Sequence, residues 1–121
     1  MIYLCSVYSL NADEALMQKR YEYALKRTAG FMRNEYTIFC PIVHCHNLAE
    51  LPNTWDFWET HDLDYLDSSE EVWVLMMPGW MMSTGVTAEI AHAEAIGTPV
   101  YYVPCDDYDE TIEEQVYESN T

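Results

Sequence analysis

Two rhythms of apolar and polar residues alternate along the chain. Residues 2–7 are a short apolar run, closed by Ser6 and Ser9, and read as a first strand. From Ala12 to Arg33 the positions Met17, Tyr21, Ala24, Thr28 and Phe31/Met32 step by three and four. That spacing predicts one face of a long amphipathic helix, with its basic residues largely on the wet side. Asn11 or Asp13 is placed to cap it. Residues 36–40 give a second strand, stopped by Pro41, and the loop IVHCHNLAELPNT follows. Residues 55–66 predict a shorter helix with Trp55, Trp58 and Asp62 or Leu63 on related faces. The run VWVLMM, residues 72–77, is continuously apolar and bounded by Pro78-Gly79, as in a parallel strand buried on both faces. Ser83 or Thr84 opens a helix that ends near Ile96, with Gly97 as its stop and Pro99 beyond. Residues 100–103 make a fourth strand.

Strands alternating with helices in this order predict an α/β protein. The expected architecture is a single-domain, three-layer Rossmann-like (flavodoxin-like) fold with a four- or five-stranded, mainly parallel sheet. At 121 residues there is room for one compact domain. We place it at residues 1–104 and read 105–121 as an acidic tail with one or two helical turns. Half of the residues are hydrophobic, enough for a core despite the charge.

The net charge of -16 narrows the partners. All five basic residues (Lys19, Arg20, Lys26, Arg27, Arg33) lie in one stretch, and no Lys or Arg follows Arg33. Nucleic acid and anionic membrane are excluded, because both need a basic surface to meet phosphates. A small, weakly charged ligand or a basic protein remains compatible. No apolar run approaches the roughly 18–20 residues of a membrane span, and the opening MIYLCSVYSL lacks the basic flank of a signal peptide. A cytoplasmic location is expected. Cys5, Cys40, Cys45 and Cys105 form no CxxC pair and read as reduced, mostly buried thiols.

Parallel sheets bind ligands outside the carboxyl ends of their strands. The segments to inspect are therefore SVYS, PIVHCH, PGWMMSTGVTAE and PCDD. The third carries Gly79 and Gly85 into a helix whose free N–H groups would face the cleft, with Glu89 just inside.

The run from Ser83 to Ala93, STGVTAEIAHA, resembles the signature of the nucleoside 2-deoxyribosyltransferase superfamily, which includes the deoxynucleoside-monophosphate N-glycosidases. Ile2-Tyr3-Leu4, His61-Asp62-Leu63 and Gly97-Thr98-Pro99-Val100 match it in the right order, so the likeness spans residues 2–103. PIVHCH, the Trp55/Trp58 pair and Gly79-Trp80 look closest to a small bacterial and phage branch. The resemblance implies that Glu89 is a nucleophile attacking the anomeric carbon of a 2-deoxyribose, by the retaining logic of two-carboxylate glycosidases. A nucleophilic carboxylate has to be ionised, and a place near a helix N-terminus would favour its anion. Tyr3 would orient it, and Asp62 would help protonate the departing base. Ser83 would contact sugar or phosphate, with Ser6 and Gly85 beside it. The resemblance also implies a homodimer or larger homo-oligomer and no cofactor.

Taken without the resemblance, these residues keep plainer readings. Glu89 fits a helix-start surface residue, Tyr3 a core residue, and Asp62 a solvated acidic face shared with Asp64 and Asp67. His44, Cys45, His46 and His61 lack the second spaced pair of a zinc site, so no metal is expected. His44 is instead expected to contact the ligand. Trp55, Phe57, Trp58 and Trp80 serve packing or stacking; Trp80, in a post-strand loop, is the stacking candidate. Monophosphate-specific members of the superfamily carry an Arg after the first strand, whereas CSVYSLN has none. A phosphate would depend on Ser6, Ser9, helix N–H groups, a His or Arg20, which keeps a free nucleoside in play. Ser83 replaces the Asp of the transferases and favours water as acceptor. The alternatives are a non-catalytic module that senses or sequesters a nucleotide-like ligand, and an acidic interaction protein.

Overall fold

The computed structural model describes residues 1–108 apart from 49 and 53. Of the expected acidic tail, residues 109–121 lie outside the described residues. The elements are β1 (Ile2–Cys5), α1 (Glu14–Arg33), β2 (Ile38–Phe39), α2 (Pro41–Cys45), α3 (Trp55–Asp67), β3 (Glu71–Leu75), α4 (Thr84–Ile96) and β4 (Val100–Val103), with one 3-10 turn at Trp80–Met82. All strand pairs are parallel, and the sheet order is β2-β1-β3-β4. This is the Rossmann-like α/β architecture expected.

Side chains alternate across the sheet and so divide the core into two layers. Leu4 and Leu75, with Trp73 packed alongside, join Tyr23 and Ala24 of α1 on one face. Tyr3, Cys5, Val72 and Val74 point the other way and meet Leu66 of α3 and Val86 and Ala93 of α4. The chain turns outward in opposite senses after β1 and β3, which are neighbours in the sheet. A crevice opens at such a switch point.

Several expected boundaries move for local reasons. β2 keeps two residues of the expected five because it is an edge strand and Pro41 begins α2 at once. The expected loop after it therefore starts with a helical turn. β3 ends at Leu75, where its register with Val103 runs out. Asp13 caps α1, its Oδ1 accepting from Leu16 N at 2.9 Å. The buried stripe of α1 is Leu16, Arg20, Tyr23, Ala24 and Thr28: Ala24 and Thr28 lie on the expected face, Tyr21 and Phe31 pack partly buried beside it, and the stripe extends to Leu16 and Arg20. The Arg20 guanidinium is fully buried, and Nη1 donates to Tyr8 O and Leu10 O at 2.8 Å each. It is neither on the wet side nor turned to a phosphate; it ties down the loop after β1. Ser83 caps α4 through Val86 N, and Gly97 ends it in the left-handed region at φ 80. Cys5, Cys40 and Cys105 are buried and Cys45 is half-buried; all four are unbridged. Among the described residues no helix is long and apolar enough to cross a membrane.

Candidate active site

The crevice holds a cavity of about 150 Å³. β1 sends Ser6 into it, α4 contributes Ser83, Thr84, Gly85 and Glu89, and α3 contributes Trp55, Trp58 and Asp62. Trp58 and Asp62 are four apart on α3 and so share one face of it. On α2 the short helix turns Pro41, Ile42 and Cys45 to the cavity. Tyr8, Ser9 and Leu10, in the loop Arg20 holds, complete the lining. The lining contains two carboxylates and no Lys or Arg.

Glu89 lies at the floor and is 5% exposed; Asp62 is 8% exposed. Behind Glu89 stand the Tyr3 hydroxyl and the Cys5 thiol, both acting to hold its charge. Tyr3 Oη, Glu89 Oε2 and Asp62 Oδ1 are nevertheless buried without a well-formed hydrogen bond. Buried polar atoms without partners are costly, and a ligand that supplies those partners recovers the cost.

Burial governs the titration of the pair. It pushes Glu89 from an ordinary 4.5 up to about 8; the Asp62 charge adds to the rise, and Tyr3 and Cys5 oppose it. Burial alone pushes Asp62 from 3.8 up to about 7. The expected help from the helix N-terminus does not prevail. Glu89 is in the second turn of α4, and the dipole acts within the first. Tyr3 and Cys5 are held as neutral donors, first by burial and then by the adjacent Glu89.

Gly85 sets the spacing of the site. A Cβ there would stand 3.4 Å from Trp55 Cε3 and 3.8 Å from Glu89 Oε1. The Trp55 ring thus covers the bare backbone at the start of α4, beside the carboxylate. Trp58 is fixed too, its indole N–H donating to Pro52 O.

Of the residues singled out in the sequence, Tyr3, Ser6, Asp62, Ser83, Gly85 and Glu89 come together here. His44 and Trp80 lie outside the lining. The early start of α2 turns His44 outward, where it stacks on His61 with ring centroids 5.4 Å apart. Trp80 sits in the 3-10 turn and packs on Tyr102 at 5.3 Å. The aromatic walls are Trp55 and Trp58 instead. Tyr8 is the residue sequence reasoning missed; its place two residues after Ser6, in the segment SVYS, was the available signal. Among the described residues, no group of three His, Cys, Asp or Glu is arranged to hold a metal ion.

Compared with known families, residues 1–104 match the model of a domain of unknown function, DUF1937. No curated protein matches the chain.

Proposed function

The chain belongs to the DUF1937 family, a domain of unknown function; from the site itself we propose that it is an N-glycosidase acting on a 2-deoxyribonucleoside or its 5'-monophosphate. The observation that carries this reading is the buried Asp62–Glu89 pair, each with one carboxylate oxygen the protein leaves without a hydrogen bond, in a cavity at the switch point of the sheet. The likeness of residues 83–93 to the 2-deoxyribosyltransferase superfamily supports it. A cavity of about 150 Å³ suits a single ring, so the deoxyribose takes the floor and the base lies outward, beyond Trp58.

A Glu89 carboxylate oxygen attacks C1' of the sugar, and the C1'–N bond breaks. Its electron pair passes to the base nitrogen, which takes the proton of Asp62. The Asp62 carboxylate then accepts a proton from water as that water attacks C1' and releases Glu89. Transfer follows instead where a second base attacks the ester. Asp62 has to hold a proton while Glu89 is ionised. Glu89 is the more deeply buried of the two and is raised further by the Asp62 charge, so a single proton prefers Glu89 and the productive arrangement is the minor one. An ordinary acceleration from a placed acid, about 10²–10⁴-fold, is set against that penalty.

Phosphate recognition would rest on Ser6, Ser9 and the first amides of α4, since the lining has no cation. A homodimer or larger assembly belongs to the proposal. Met81, Met82 and, packed on the neighbouring Trp80, Tyr102 supply exposed apolar side chains beside β4 for it. A monomer mass by light scattering at micromolar concentration rejects it. The four unbridged thiols support a cytoplasmic setting.

One observation favours a second reading, ligand sensing without turnover. A Glu89 that keeps its proton to about pH 8 serves as a neutral donor to a bound ligand. The deciding experiment incubates the protein with deoxynucleosides and their monophosphates and measures free base. Release by the wild type and none by Glu89→Gln supports the enzyme. A raised melting temperature without base release supports the sensor.

A further inference from the structure

A second cavity of about 440 Å³ adjoins the first, and the two share Tyr8, Cys45 and Trp58 as common wall. Its other walls are mixed, with Met17, Leu48, Leu51 and Pro52 apolar and Glu14, Gln18 and His46 polar. Trp58 presents a fixed ring to it. An indole face beside apolar and hydrogen-bonding side chains suits an aromatic heterocycle, which has a π-face to stack and polar edges to pair.

Tyr8 stands at the junction in a defined hydrogen-bonding sense. Gln18 Nε2 donates to Glu22 Oε1 at 3.1 Å, which leaves the Gln18 carbonyl for His46. His46 Nε2 meets that oxygen at 2.7 Å and so carries its hydrogen there. In the neutral ring, Nδ1 is then an acceptor, and it lies 2.6 Å from Tyr8 Oη. The ring is also clamped by stacking on Tyr21, with centroids 4.0 Å apart. The only proton of the Tyr8 hydroxyl is thus committed to His46, which leaves the oxygen of this shared wall residue acceptor capacity alone.

We propose that Tyr8, held in this sense by His46, is a specificity-determining acceptor that reads a hydrogen-bond donor on the base, whose ring occupies the second cavity while the sugar sits by Glu89. The proposal rests on the glycosidase reading and deepens it. It favours bases that carry an exocyclic amine over the same ring without one. His46 acts through Tyr8 and is a positioning residue.

The test measures Kd by calorimetry on full-length Glu89→Gln protein, which holds ligand without cleaving it. Two matched pairs serve as probes: 2'-deoxyadenosine with purine 2'-deoxyriboside, and 2'-deoxycytidine with its 2-pyrimidinone analogue. At least one amino compound should bind about tenfold tighter than its partner. Adding Tyr8→Phe should bring that ratio close to one, and His46→Ala, which frees the hydroxyl to rotate, should reduce it. General damage to the site weakens both members of a pair and leaves the ratio unmoved. If Tyr8→Phe fails to fold, the His46→Ala ratio decides. Binding with no amine preference, or a preference that survives loss of the Tyr8–His46 contact, overturns this assignment alone. No binding by any of the four overturns the glycosidase reading together with it.

Discussion

Replacing Glu89 by Gln keeps the side chain's size and removes its titration, so the two proteins should differ in how stability depends on pH. Glu89 is 5% exposed and faces a second carboxylate, with no Lys or Arg in the cavity lining. Its value rises from 4.5 in an open chain to about 8 in the fold. A raised carboxylate contributes stability fully below pH 4.5, and the contribution is lost as the pH climbs towards 8. Each tenfold gain in proton affinity is worth ~1.4 kcal/mol, which sets a ceiling of about 5 kcal/mol; water entering the open cavity lowers this. Asp62 titrates in both proteins, so most of its effect cancels in the comparison. Urea unfolding of wild type and Glu89→Gln, from pH 5 to 9, measures the gap. The variant should gain on the wild type by up to ~1.4 kcal/mol per pH unit, levelling above about pH 8. A gap that stays constant across this range would refute the reasoning, because it would mean that the folded Glu89 ionises as an exposed carboxylate does.

Three further outcomes follow from the same geometry. The pH profile of kcat/KM for base release should be bell-shaped with its maximum between about pH 7 and 8, set by the Asp62–Glu89 pair; a flat profile from pH 6 to 9 contradicts this. Asp62→Asn should slow release by about 10²–10⁴-fold, most for poor leaving bases, as steady-state rates across a series of bases would show. Gly85→Ala should raise stability by about 0.5–1 kcal/mol through helix propensity yet weaken nucleoside binding, since its methyl would enter the gap between Trp55 and Glu89; denaturation and calorimetry separate the two effects.

The sheet was legible because its strands announce themselves by composition. VWVLMM admits few readings, and Pro78-Gly79 marks its end. The long helix was legible in extent and in part of its buried face, Ala24 and Thr28, but not in the burial of Arg20. Arg20 looks like a surface residue until the loop after β1 supplies two carbonyls for it to satisfy, a contact made across 10–12 residues. The turn at Pro41–Cys45 was hidden because PIVHC is too short to show a period. Asp62 had one cue within an acidic run, its place four residues from Trp58 on a related face, whereas Asp64 and Asp67 fall on the exposed side of α3. The titration of Glu89 was not legible at all, since a helix-start position suggests a stabilised anion and only the fold reveals how deeply the carboxylate is buried. Trp55 and Trp58 could be told from Trp80 as walls only once α3 was set against the start of α4.

The central claim is that Glu89 forms a covalent bond to the sugar, and mass spectrometry of acid-quenched reactions tests it most directly. Mixed with a deoxynucleoside and quenched within the first turnover, the peptide bearing Glu89 should gain the mass of a deoxyribosyl group as free base appears. Glu89→Gln should show neither. Base released while that peptide keeps its original mass at every quench time would contradict the mechanism, and no base from any deoxynucleoside or monophosphate would contradict the activity.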